Sequence, residues 1–360
     1  MTKSSPKSTG TKQDRIVISI DAMGGDYGPA AIVGGIAKVV KDKINLFYLI
    51  HGDHKQLLEE IHKEPEIEHA IRIVPTSRTV DMNEKPSAAL RNGKDTSMWS
   101  TIEALENGQA DIALSCGNTG ALMAMSVVKL RKAPEINRPA IAVLWPSINT
   151  QGFNIVLDAG ADVRADAQDL LQYAMMGAAY AKNGFNLIKP RIGLLNIGVE
   201  PHKGRSELHV AAELIKVNEE IGNYEFVGYV EGSDLPSNRV DIIVTDGFTG
   251  NIALKTGEGT ASLIKTFLKD AFNNSLYSKL VALLALGSLK RLKKKIDPRH
   301  VNGGVFLGLN KTVVKSHGGA DATSVAAAIK LAFQLEKSGF TSMLKTQFKI
   351  SEKETKKNED

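Results

Sequence analysis

The sequence predicts an α/β protein built on a mostly parallel sheet with helices on both faces. Three observations predict it. From residue 15 to about residue 250, apolar β-rich runs alternate with helical patterns. The strand runs are continuously apolar, which suits strands covered on both sides. Four of them end in small polar residues that open the next helix, the junction where parallel sheets bind ligands.

Along the chain, strands fall at 16–20, 46–51, 71–74, 112–115, 141–144, 155–157, 192–196, 226–230 and 242–245. Helices fit 29–41, 55–63, 96–107, 119–131, 165–183, 206–220 and 252–269, where apolar residues recur at intervals of three and four. Pro29 suits a first helical turn, where its missing N–H costs no bond, and Gly184 after "YAKN" reads as a helix stop.

Beyond residue 270 the alternation ends. In "NSLYSKLVALLALGSLKRLKKKIDP", Leu276, Leu280 and Leu283 or Leu284 share one stripe, and Gly287 and Ser288 offer a break. Leu289, Leu292 and Ile296 make a second stripe beside Lys290, Arg291, Lys293, Lys294 and Lys295. This pattern predicts a projecting helical hairpin over 270–298 with a strongly basic second arm. "GGVFLGLNKTVVKSHGG" then gives short strands and turns, and a last helix covers 324–335. The organisation that follows is a disordered tail at 1–13, one α/β domain at 14–345 and a charged tail at 346–360.

Bulk properties narrow the function. A chain of 360 residues buries a large core, and its net charge of +5 is mild. It suits an acidic partner or substrate without indicating nucleic acid. A single cysteine, Cys116, excludes an internal disulfide and points to a reducing compartment. No apolar run is long enough for a transmembrane helix, and the lysine-bearing start lacks the apolar core of a secretory signal. His51, His54, His62 and His69 lack ligand spacing, so no metal is expected. Cys116 has no basic partner near it in sequence and reads as a small buried apolar residue.

The chemistry is expected in the loops. "VISIDAMGGDYGP" brings Asp21, Gly24 and Gly25; "CGNTGAL" brings Gly117, Asn118, Thr119 and Gly120. "NIGVEPHKG" brings Glu200, His202 and Lys203, and "DGFTGN" brings Asp246, Gly247, Thr249, Gly250 and Asn251. Strand ends in a parallel sheet lie along one edge. There glycines admit close backbone approach and helix starts present free N–H groups, a surface suited to phosphate. A helix terminus contributes only about 0.3–1 kcal/mol, so a dianion also needs a cation. Lys203 is the expected one, assisted by His317 or Arg91. No loop carries a nucleotide fingerprint, and neither nicotinamide nor ATP is supported.

Six ordered motifs, "IDAMGGDYGP", "SCGNTGALMA", "RPAIAVLWP", "LLNIGVEPHKG", "DGFTGNIALKTGEG" and "KSHGGADA", resemble the bacterial phosphate acyltransferases of phospholipid synthesis from about residue 15 to residue 335. The resemblance implies a three-layer α/β/α fold similar to phosphotransacetylases and isocitrate dehydrogenases, a homodimer and no cofactor. It implies that long-chain acyl carrier protein and inorganic phosphate become acyl phosphate and free carrier, feeding the membrane glycerol-3-phosphate acyltransferase. On this reading Asp21, Gly24, Gly25, Asn118, Thr119, Gly120 and Gly247 bind phosphate and substrate. Lys203 grips the phosphate, while Asp246, Asn251 and His317 orient groups around the thioester. The basic hairpin is expected to serve dimerisation and contact with an anionic membrane surface, giving a cytoplasmic, peripherally membrane-associated enzyme. Docking of the acidic carrier protein is a further use of the same charges.

Overall fold

The structure, a computed structural model, describes residues 15–134, 136–289, 303–346 and 348. Eleven strands form one sheet: β1 (Ile16–Asp21), β2 (Leu46–Gly52), β3 (Ile71–Pro75), β4 (Ile112–Ser115), β5 (Ala140–Pro146), β6 (Phe153–Leu157), β7 (Arg191–Leu195), β8 (Glu225–Val230), β9 (Ile242–Val244), β10 (Gly304–Leu307) and β11 (Thr312–Lys315). Their order is β3-β2-β1-β4-β11-β10-β5-β6-β9-β7-β8.

The helices are α1 (Gly28–Lys41), α2 (His54–Ile61), α3 (Pro86–Asn92), α4 (Ser97–Glu106), α5 (Thr119–Leu130), α6 (Ala167–Phe185), α7 (Ser206–Val217), α8 (Glu219–Gly222), α9 (Gly247–Asn273), α10 (Leu276–Leu284) and α11 (Ala322–Lys337). α1, α6 and α11 bury Ile32, Ile36, Tyr173, Tyr180 and Val325 against one face of the sheet. α4, α5 and the first turns of α9 pack Ile102, Leu122, Met125 and Leu254 against the other, completing three layers. Continuous apolar strands are what such double coverage selects.

Seven of the ten strand pairings are parallel, so the sheet is mostly parallel as expected. The three antiparallel ones, β11 with β10, β10 with β5 and β5 with β6, sit together at its centre. Three successive reversals leave β6, β7, β8 and β9 running opposite to β1, β2, β3, β4 and β11. The expectation that all four loops share one edge is therefore wrong. The loops after β1, β4 and β11 lie at one edge, and those after β6, β7 and β9 at the other.

Helix ends also move. α6 runs past Gly184 to Phe185 and ends on Asn186 in the left-handed region, with φ of 57°. α9 begins at Gly247 because Asp246 caps it, accepting from the Thr249 N–H at 2.8 Å. It then continues to Asn273, and the hairpin turn falls at Asn274 and Ser275 instead of Gly287 and Ser288. Its basic stretch from Lys290 to Lys295 lies outside the described residues.

Candidate functional site

The loops after β1, β4 and β11 are packed into one another. Asp21, at the end of β1, is buried, and its Oδ2 accepts from the Ser115 hydroxyl at 2.7 Å. Ser115 Oγ in turn accepts from the Gly117 N–H at 2.9 Å. Burial pushes the Asp21 carboxyl up from its ordinary range, against the pull of these hydrogen bonds. Gly24 leaves no room for a side chain, since a Cβ would lie 2.7 Å from Asp21 Oδ2 and from the Gly117 nitrogen. Gly25 has φ of +84°, and a Cβ there would lie 2.7 Å from the Gly318 carbonyl oxygen. The Asp26 N–H donates to that same carbonyl at 2.8 Å, tying the loop after β1 to the one after β11.

Asn118 serves this architecture instead of facing a ligand. Its Oδ1 caps α5 through the Ala121 N–H at 3.1 Å, and its Nδ2 donates to the carbonyls of Asp81, Met82 and Glu84. Thr119 and Gly120 form the first turn of α5, where backbone N–H groups have no intrahelical acceptor and favour an anion. Cys116 is buried beside them and its thiol is pushed up to about 11, which suits packing and not nucleophilic attack.

The loop after β11 meets α9 through His317 and Glu258. His317 Nδ1 accepts from the Gly319 N–H at 3.0 Å, so the ring proton sits on Nε2, 3.6 Å from Glu258 Oε1. Glu258 also accepts from Lys255 Nζ at 2.8 Å. His317 first, with Lys255 adding, outweighs partial burial and holds the Glu258 carboxyl at about 2. At 3.6 Å the His317 contact is longer than a direct hydrogen bond.

The second edge holds the remaining expected residues. Asp158, fully buried after β6, accepts from the N–H groups of Ile141, Ala161 and Asp162, and burial raises its carboxyl to about 6. Asp162 accepts from the Gly247 N–H at 3.0 Å and from the Tyr173 hydroxyl, so Gly247 is already engaged. Both Asp246 oxygens are taken, one by the α9 cap and one by Arg205. Asn251 is exposed, facing Gly160. Lys203 pairs with Glu200 at 2.7 Å in the loop after β7. These residues do not join His317: Glu258 lies twelve positions beyond Asp246, about 18 Å along α9 at 1.5 Å per residue.

A cavity of about 610 Å³ opens at this second edge, walled by Met123, Val127, Arg138, Asp162, Arg164 and Glu207. Its arginines are committed, Arg164 to Glu207 at 2.7 Å and Arg138 to Asp169 at 3.5 Å. Size alone does not make it the anion site; the first edge has the free helix start and the acid–base pair.

Comparison with known proteins sets this geometry in a family. The fatty acid synthesis protein family matches residues 16–343. A phosphate acyltransferase of Cereibacter sphaeroides is 60% identical over 335 residues, 93% of this chain and 90% of its own. The chain belongs to the phosphate acyltransferase family. Another phosphate acyltransferase, from Paracoccus denitrificans, is 60% identical over 331 residues, 92% of this chain and 90% of that one. Among solved structures, a phosphotransacetylase from Streptococcus pyogenes superposes with a TM-score of 0.58 at 18% identity, over 90% of this chain and 95% of the other. A branched-chain phosphotransacylase from Enterococcus faecalis gives 0.55 at 15% identity, over 89% and 98%. The three-layer fold is thus one it shares with phosphotransacetylases, and this chain is an acyltransferase of the fatty acid synthesis protein family.

Two residues of the first edge escaped the sequence reading. Glu258 sits in a helical pattern where a lone glutamate reads as a solvated charge. Lys315 ends β11 with its side chain buried, its Nζ donating to the Ser316 carbonyl and, at 3.4 Å, to that of Cys116. Its sequence signal is a lysine inside an otherwise apolar strand, next to "SHGG".

Proposed function

We propose that this phosphate acyltransferase moves the acyl group of a long-chain acyl carrier protein thioester to inorganic phosphate, releasing acyl phosphate and free carrier. A phosphate oxygen attacks the thioester carbon, the C–S bond breaks, and the thiolate leaves. The carrying observation is the α5 start, packed with the Gly24 and Gly25 loop against the loop after β11, which brings His317 to Glu258. Phosphate is already an anionic nucleophile, and the leaving thiol has a pKa of about 8.5, so neither an activated serine nor a strong acid is needed. Positioning supplies about 7–11 kcal/mol and an oxyanion donor about 2.7–4 kcal/mol. Thr119 and Gly120 hold the phosphate through backbone N–H groups, and His317 Nε2–H serves the thioester oxygen. Asp21, Gly24, Gly25 and Asn118 shape the cradle. Asp246 and Gly247 anchor the start of α9, with Asn251 and Lys203 on the same edge.

The test incubates the enzyme with acyl carrier protein thioester, with and without phosphate, and follows free thiol. Phosphate-dependent release is expected. Release that ignores phosphate, or none, overturns the reading. The acyl phosphate then serves the membrane acyltransferase that leads to phosphatidic acid, which places the enzyme in the cytoplasm at the membrane surface.

The hairpin supports that placement. After Glu258 nearly all of α9 is exposed, including Leu263, Ile264 and Phe267, and α10 exposes Leu280, Leu283 and Leu284. An apolar surface of this kind calls for a cover. We assign it to a second copy, as a homodimer, with the basic segment reaching anionic lipid. Among the described residues no helix is long and apolar enough to cross a membrane. Replacing Lys293, Lys294 and Lys295 by glutamate should abolish co-sedimentation with anionic vesicles; unchanged co-sedimentation removes the membrane contact.

A further inference from the structure

Lys315 stands at the centre of the first edge, yet the acyl-transfer scheme gives it no task. Lys315 is 8% exposed, and none of the ion pairs among the described residues includes it. Instead it holds two backbone carbonyls, those of Cys116 and Ser316, from the loops after β4 and β11. The Cys116–Gly117 peptide passes the contact on: its N–H donates to Ser115 Oγ, whose hydroxyl donates to Asp21. A buried cation and a buried carboxylate are thus joined through one peptide and one hydroxyl. That peptide leads directly into Asn118, Thr119 and Gly120.

We propose that Lys315 is the positioning residue of the anion cradle, fixing through the Cys116 and Ser316 carbonyls the loops on which phosphate rests. The proposal builds on the acyl-transfer reading. Losing a charge-assisted contact of this kind corresponds to about 10- to 100-fold in affinity.

Protonation makes the idea testable. The groups facing Lys315 are Asp21 on β1, Asp26 ahead of α1, Cys116 after β4 and Lys255 on α9. Burial, with Lys255 adding, pushes its ammonium down to about 8, against the opposing pull of Cys116, Asp21 and Asp26. Above that pH the carbonyls lose their cationic tie, while phosphate, by then mostly dianion, changes little. The fold moves the other way. With the folded value below the ordinary 10.5, the unfolded chain holds more protons between the two, so the Lys315 contribution to stability rises with pH there. Thermal melting at each pH separates weaker phosphate binding from unfolding.

The experiment measures the phosphate KM from pH 7 to 9.5 for the full chain, Lys315→Met and Lys315→Arg, with acyl carrier protein KM and thermal melting alongside. Lys315→Met should raise the phosphate KM about 10-fold or more at pH 7, with the carrier KM unchanged. Lys315→Arg, always charged, should lose the alkaline rise seen in the parent. A wild-type phosphate KM in folded Lys315→Met, or an unaltered alkaline rise in Lys315→Arg, overturns the proposal. Should Lys315→Met not fold, the arginine variant decides alone. Failure of the parent to use phosphate sinks the acyl-transfer reading instead.

Discussion

His317→Ala should lower kcat by about 10²–10³, the loss that follows removal of one oxyanion donor, with little change in the phosphate KM. The reason lies in its tautomer. With Nδ1 accepting from the Gly319 N–H, the ring proton is on Nε2, 3.6 Å from Glu258 Oε1. Glu258 is held ionised by His317 and Lys255, and its carboxylate orients the ring with Nε2–H toward it. His317→Asn keeps a donor but not the ring and should retain part of the rate. Steady-state kinetics checks this. A kcat in His317→Ala within about threefold of the parent would remove His317 from the chemistry.

Gly25→Ala should raise the phosphate KM by about tenfold and cost about 1–3 kcal/mol of stability. Two separate penalties meet there. At φ of +84° any side chain is strained, and a Cβ would press to 2.7 Å from the Gly318 carbonyl oxygen and 2.9 Å from Cys116 Cβ. The second penalty acts on the site, because it drives the loop after β1 away from those after β4 and β11. Gly28 separates the two effects. It also has positive φ, +47°, but nothing lies within 4 Å of a Cβ there. Gly28→Ala should therefore show the strain cost alone, with an unchanged phosphate KM. Paired melting curves and KM values check the comparison. Equal KM values for the two variants would mean that contact among the three loops does not shape the phosphate site.

Much of the fold was legible because double burial writes itself as continuous apolar runs. β4 was read without error, and most other strands moved by one or two residues. Strand direction was not legible. "GVFL" and "AIAVLWP" look like any buried strand, and nothing in their composition reports that β10 and β5 reverse the sheet. That silence put Lys203 and Asp246 beside Asn118, when the reversal places them at opposite edges. The start of α9 was misjudged for a related reason. "DGFTGN" reads as a small-polar loop ahead of the helix, but a Cβ at Gly250 would run into the Asp158 carbonyl oxygen, so this glycine is a packing requirement inside a helix. Lys315 was missed because a lysine at a strand end ordinarily reaches water; only the fold shows this one enclosed.

Diffraction from crystals soaked in inorganic phosphate tests the central claim most directly. The account predicts phosphate at the start of α5, within hydrogen-bond reach of the Thr119 and Gly120 N–H groups and beside His317. Phosphate bound instead at Lys203 and Arg205, with the α5 start untouched, would contradict it.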